Sequence, residues 1–85
     1  MANFNIEFDA SANAAYLKVK DGEFGYTQEV SPVINFDIDP TGRLLGIEFL
    51  NLESFGELNA DDLVDYVEPE LASELEQYIH NFRIS

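Results

Sequence analysis

Cysteine is absent from this 85-residue chain, which excludes disulfide frameworks, thiolate nucleophiles and cysteine-type zinc sites together. A reducing compartment suits such a composition. Basic side chains are nearly as scarce: four Lys and Arg and one His stand against 17 Asp and Glu, a formal charge of −13. A single histidine cannot complete a relay, and four cations leave little to stabilise a developing anion. No serine stands in a nucleophile-elbow context, and no glycine-rich run precedes a helix as phosphate loops require. The composition therefore points away from an enzyme and implies no cofactor. Long apolar runs are missing too, so no membrane span is expected. Met-Ala-Asn-Phe-Asn carries neither the basic nor the apolar region of a secretory leader, which makes a cytoplasmic location the default expectation.

What is present is enough for a core. Hydrophobic residues make up 46% of the chain, with seven Phe and four Tyr, so the chain is expected to fold as one domain over residues 1–85 despite its charge. The acids are unevenly spread. Residues 1–43 hold seven acids against Lys18, Lys20 and Arg43, a net of −4, whereas residues 44–85 hold ten against Arg83 alone, a net of −9. Such a field repels nucleic acid, anionic lipid and phosphate-rich substrates and attracts a basic partner at long range. The same charge would also simply keep a small protein dispersed.

Period-two alternation dominates the first half. Phe4, Ile6 and Phe8 alternate with Asn5 and Glu7 in a first strand ending at Asp9, and Ala15, Leu17 and Val19 alternate with Tyr16, Lys18 and Lys20 in a second. Small and turn-forming residues 10–13 join them as a hairpin. Asp21-Gly22 punctuates, and residues 25–30 form a third, less apolar strand expected at a sheet edge, with Ser31-Pro32 breaking its pairing.

Residues 33–50 fit two incompatible templates. By spacing, Asp37, Asp39, Thr41, Gly42 and Glu48 occupy positions 1, 3, 5, 6 and 12 of a calcium loop. By periodicity, Ile34, Phe36 and Ile38 alternate, an Asp-Pro-Thr-Gly turn follows, and Leu45, Ile47 and Phe49 alternate again as a β-hairpin. A calcium loop needs flanking helices, and these flanks carry strand-type residues, so the hairpin is preferred. Pairing Asp39 with Arg43 would set Asp37 beside Leu45, mixing polar and apolar side chains on one face. A slip of one residue repairs this: with residues 39–42 as the loop and Gly42 left-handed, Phe36 faces Leu45 and Ile34 faces Ile47.

After Leu52 the period changes. Asn59 is expected to cap a short helix through Val67, with Asp62 at its third position and Leu63, Tyr66 and Val67 inward. Pro69 opens a second helix whose Leu71, Leu75, Tyr78, Ile79 and Phe82 form one stripe, with Glu70, Glu74, Gln77 and Asn81 on another face. Acids early in this helix and Arg83 late in it suit its dipole. The expected fold class is α+β: an antiparallel sheet of about five short strands in residues 1–52, with one or two C-terminal helices from residues 59–83 packed on one face.

Phe8-Asp9, Ala15-Tyr16-Leu17, Asn35-Phe36-Asp37-Ile38-Asp39, Gly42-Arg43-Leu44 and Gly46-Ile47-Glu48-Phe49-Leu50 together resemble the Domain of Unknown Function 2283 family of small prokaryotic proteins, over residues 4–52. The family pattern is Tyr-Asp-x-x-x-Asp-x-x-Tyr, then a hairpin reading hydrophobic-Asp-x-Asp-x-x-Gly-x-hydrophobic-x-Gly-Ile-Glu. Here Phe8 stands for the first Tyr and Asn13 for the second Asp. The resemblance implies no established activity. For some members it implies an antitoxin role against small ribonuclease-like toxins. Residues 53–85 lie outside the pattern.

Three candidate sites remain. Glu76 lies one helical turn before His80, so both could reach one metal ion, yet two ligands are too few and a surface pair is preferred. Asp37, Asp39 and Glu48 would form a weak divalent-cation site if clustered, but alternation puts Asp37 and Glu48 on the exposed face and Asp39 in the turn. Asp61, Asp65, Glu70 and Glu74 are the residues expected to meet a basic protein partner, in the manner of an antitoxin-like inhibitor. The alternatives are an acidic nucleic-acid mimic, a weak divalent-cation binder and an enzyme with an unrecognised site, and a homo-oligomer is also open.

Overall fold

The computed structural model describes residues 4–82. Five strands, β1 (Asn5–Asp9), β2 (Ala14–Lys18), β3 (Tyr26–Ser31), β4 (Ile34–Ile38) and β5 (Leu44–Phe49), form one antiparallel sheet in the order β1-β2-β5-β4-β3. Two 3₁₀ turns (Leu52–Glu57 and Ala60–Asp62) and one helix, α1 (Pro69–His80), follow. This is the α+β arrangement expected, with β3 at an edge.

Because the strands alternate, each face of the sheet reads as cross-strand rows. One face holds the rows Ile6, Leu17, Ile47, Phe36, Gln28 and Phe8, Ala15, Phe49, Ile34, Ser31. Against it lie Ala72, Leu75 and Ile79 of α1 together with Phe55, Leu58, Leu63 and Val67, and all of these are buried. Phe36 meets Tyr66 edge-on at 5.4 Å between ring centroids, and Phe49 meets Phe55 at 4.5 Å. The opposite face holds the polar rows Glu7, Tyr16, Glu48, Asn35, Glu29 and Asn5, Lys18, Gly46, Asp37, Thr27.

The β4–β5 register differs from the expected slip. The hairpin closes through Asp39 and Arg43, the pairing that alternation argues against: Asp39 N–H donates to the Arg43 carbonyl at 2.8 Å, and Gly42 N–H to the Asp39 carbonyl at 3.0 Å. Ile38 then faces Leu44, and a bulge shifts the register so that Asp37 faces Gly46, Phe36 faces Ile47 and Ile34 faces Phe49. A bulge adds one residue to one strand, here Leu45, and so restores face parity after the turn has upset it. Phe36 and Ile34 lie on the buried face as expected, but opposite Ile47 and Phe49. Gly42 is left-handed at φ 93°, the conformation this turn demands and glycine supplies without steric cost.

Ser31-Pro32 does not break the sheet. Ser31 pairs with Ile34 across a tight turn at residues 32–33, and Ser31 Oγ accepts from Val33 N–H at 3.2 Å. The short helix expected through Val67 is one 3₁₀ turn with the expected cap: Asn59 and Asp62 form a reciprocal capping box. A longer helix there would direct the Asp65 carbonyl to the nitrogen of Pro69, which has no N–H, and Glu68 before proline is extended. The Tyr66 carbonyl instead accepts from Leu44 N–H at 3.2 Å, fastening the segment to β5. Residues 52–57, given no element from sequence, form a 3₁₀ turn capped by Asn51. Of the expected α1 stripe Leu75 and Ile79 are buried and Leu71, Tyr78 and, just past the helix, Phe82 are half-buried, while Ala72, outside the expected stripe, is buried as well; Arg83 lies outside the described residues.

Candidate functional site

The polar face of the sheet is where the family-like residues converge. Tyr16 on β2 lies across Gly46 on β5, and its hydroxyl donates to Asp37 Oδ2 at 2.9 Å on β4. A methyl group on residue 46 would overlap the Tyr16 ring and hydroxyl, so only glycine lets the phenol cross one strand to reach the next. Thr27 Oγ1 on β3 donates to Asp37 Oδ1 at 3.1 Å, and Asn35 Nδ2 donates to Glu48 Oε1 at 3.1 Å. Burial, then the bond to Asp37, then the charges of Asp37 and Glu48, raise the Tyr16 hydroxyl above its ordinary pKa. The Tyr16–Asp37–Thr27 chain of hydrogen bonds thus runs from β2 over β5 to β4 and β3.

The other pattern residues shape turns. Asp9 Oδ1 accepts from Ser11 Oγ at 2.8 Å and Ala12 N–H at 3.3 Å, which lowers its pKa. Asn13 is left-handed at φ 54°, a conformation that Asn and Asp tolerate better than other side chains. The position where the family pattern has Asp thus needs a backbone geometry, and Asn serves. Asp39, nearly buried, accepts through Oδ1 from Thr41 N–H (2.9 Å), Thr41 Oγ1 (2.7 Å) and Arg43 N–H (3.0 Å), with Lys20 Nζ 3.3 Å from Oδ2. The Arg43 amide first, then the Thr41 hydroxyl, hold this carboxyl far below the usual range.

The hairpin acids do not form the cation cage that calcium-loop spacing suggests. Asp39 is spent on its own turn, and Asp37 and Glu48 belong to adjacent rows with separate hydrogen-bond partners. Among the described residues no group of three or more His, Asp or Glu is placed to hold a metal ion. Glu76 and His80 are not a bare surface pair either. Glu76 Oε2 accepts from Ala60 N–H at 2.9 Å, and His80 Nε2 lies 3.3 Å from the Leu58 carbonyl, within reach as a donor in the Nε2–H tautomer. Both staple α1 to the 3₁₀ segments, a role that spacing within the helix could not reveal because the partners lie 16 and 22 residues away.

Asp61, Asp65, Glu70 and Glu74 are all exposed, and none pairs with a cation among the described residues. The structure does not gather them into one patch. Glu70 and Glu74 share a face of α1, while Asp61 and Asp65 lie on the segment that Glu76 holds. Glu76, which bonds the Ala60 amide, is about 200° around the helix from Glu74. The described cations are already engaged: Lys18 with Asp21, Lys20 with Asp39, and Arg43 with Glu68 at 4.0 Å.

The fold and this face define a small α+β domain in which an internally bonded sheet carries an acid-rich helical cover. The chain belongs to the family described as protein of unknown function (DUF2283), whose model matches residues 5–52, the whole sheet. No curated protein and no solved structure matches the chain. No helix among the described residues is long and apolar enough to cross a membrane.

Proposed function

We propose that this protein is a non-catalytic interaction module whose acidic helical cover meets a basic protein surface, in the manner of an antitoxin-like inhibitor. The observation that carries the reading is the contrast between two sets of carboxylates. Those of the family pattern, Asp9, Asp37, Asp39 and Glu48, accept hydrogen bonds within the sheet and its turns. Outside it Asp62 and Glu76 are bonded to backbone amides, but Asp61, Asp65, Glu70 and Glu74 are exposed and without a cation among the described residues. The first set builds a scaffold. The second is available to a partner, and two carboxylates one helical turn apart raise the local negative potential at a cost of only ~0.2–0.5 kcal/mol to the helix.

The test is affinity capture from the native host at about 50 and 500 mM salt, a range over which the Debye length shortens roughly threefold. The reading expects a stoichiometric basic protein held at low salt and released at high salt. Recovery of no basic protein, or retention indifferent to salt, would leave solubility as the meaning of the charge.

A further inference from the structure

We infer that the free edge of β1 is a docking strand for an extended segment of the partner in which basic and apolar residues alternate. This rests on the reading above and specifies where and in what conformation the basic partner is held.

Both ends of the sheet are edges, but they are built differently. β3 carries a register shift between Glu29 and Ser31 and is followed at once by Pro32, devices that discourage further pairing. β1 pairs with β2 in unbroken register from Asn5 opposite Lys18 to Asp9 opposite Ala14, and it contains neither Lys nor Pro. Among the described residues nothing pairs with its other side. In an antiparallel edge strand alternate residues turn their backbone N–H and C=O away from the neighbour, ready to pair with an added strand.

The two sides of β1 state what that strand must look like. On the core side Phe8 is 51% exposed although its ring packs 6.2 Å from that of Phe55 and 6.0 Å from that of Phe82. Phe4 meets Tyr78 at 5.3 Å, and Tyr78 meets Phe82 at 5.0 Å. Among the described residues the apolar layer therefore continues to the edge and stops there with Phe8 half-exposed. On the polar side β1 presents Glu7, the first residue of the row Glu7, Tyr16, Glu48. Beside it, over β2, a recess of about 280 Å³ has Glu7, Asp9 and Glu48 in its lining together with Ala14, Ala15 and Tyr16. At the helix flank a second recess joins Phe4 and Tyr78 to Glu74, so the acidic face of α1 adjoins this edge. An added strand with apolar residues toward Phe8 and Lys or Arg toward Glu7 satisfies both sides. A second copy of this chain would set Glu7 and Asp9 against their own kind, and like charges facing each other across a ladder are unfavourable.

The probe is a seven-residue capped peptide alternating Lys with Val and Ile, titrated into the full-length protein and followed by amide shifts and hydrogen exchange. Controls are the same peptide with Glu for Lys, and one with Pro at its centre. The expected result is saturable binding with at least tenfold slower exchange at outward amides of residues 5–9. The Glu and Pro peptides should not bind, and Glu7→Lys, at an exposed position, should weaken binding at least fivefold. Shifts confined to Asp61, Asp65, Glu70 and Glu74 with β1 exchange unchanged would overturn the docking strand while leaving the acidic-cover reading standing. Protection along β3, protection of β1 by self-association without peptide, or no saturable binding would overturn it as well.

Discussion

Gly46 and Asp39 show how single residues carry the pattern shared with the family. Gly46→Ala forces the Tyr16 hydroxyl off Asp37 and is expected to cost ~1–3 kcal/mol as an overpacking change. In a Tyr16→Ala background the same substitution should cost nearly nothing. A double-mutant cycle by urea unfolding measures that coupling, and additive costs would mean that Tyr16 and Gly46 act independently. Asp39 predicts a pH signature. Its folded pKa lies below the unfolded value, so its contribution is complete above about pH 4 and is lost as pH falls through the folded value. The gap in Tm between wild type and Asp39→Asn, which keeps an acceptor but drops the charge, should be constant from about pH 8 to 5 and shrink below about pH 4. Thermal melts across that range check it. The turn role of Asp39 was legible in its place before Pro-Thr-Gly. The Tyr16 to Asp37 bond was not, because its partners lie 21 residues apart and meet only through strand order.

Elements were legible to the extent that their signal was periodic. All five strands and α1 follow from alternation and a 3.6-residue stripe, and Pro69 marks the helix start. The β4–β5 register was not legible, because two devices compete to keep Phe36 and Ile47 on one face. A slipped turn and a bulge at Leu45 give the same polarity, and the hydrogen bonds of the Asp39 turn favour the bulge. The 3₁₀ segment after Asn51 escaped because six residues are too few to show a period, and the one after Asn59 was expected as a longer helix, its cap legible but its end not. Their attachment to α1 yields a prediction. Glu76→Ala removes the acceptor of the half-buried Ala60 amide and should cost ~1–2 kcal/mol. Hydrogen exchange should speed up at residues 58–62 while the centre of the sheet stays protected. Unchanged exchange there would show that the staple is dispensable.

Across the whole molecule, charge and architecture divide the labour. Asp9, Asp37, Asp39 and Glu48 of the family pattern are bonded within the sheet and its turns, whereas the segment beyond the family match holds the larger share of the net charge of −13. That share was legible from residue counts, but which acids are spent, as Glu76 is on the Ala60 amide, and which stay exposed, as Glu70 and Glu74 do, required the packing of α1 on the 3₁₀ turns. The central claim is that these carboxylates drive association with a basic protein. Glu70→Gln with Glu74→Gln should leave the fold intact, and relief of like-charge repulsion should hold or slightly raise Tm. The measurement that tests the claim most directly is the association rate of the captured partner with wild type and with this double variant, by stopped flow across about 50 to 500 mM salt. The account predicts a several-fold slower association for the variant at low salt, a shallower salt slope, and convergence of the two proteins at high salt. Identical rates with identical salt slopes would contradict it.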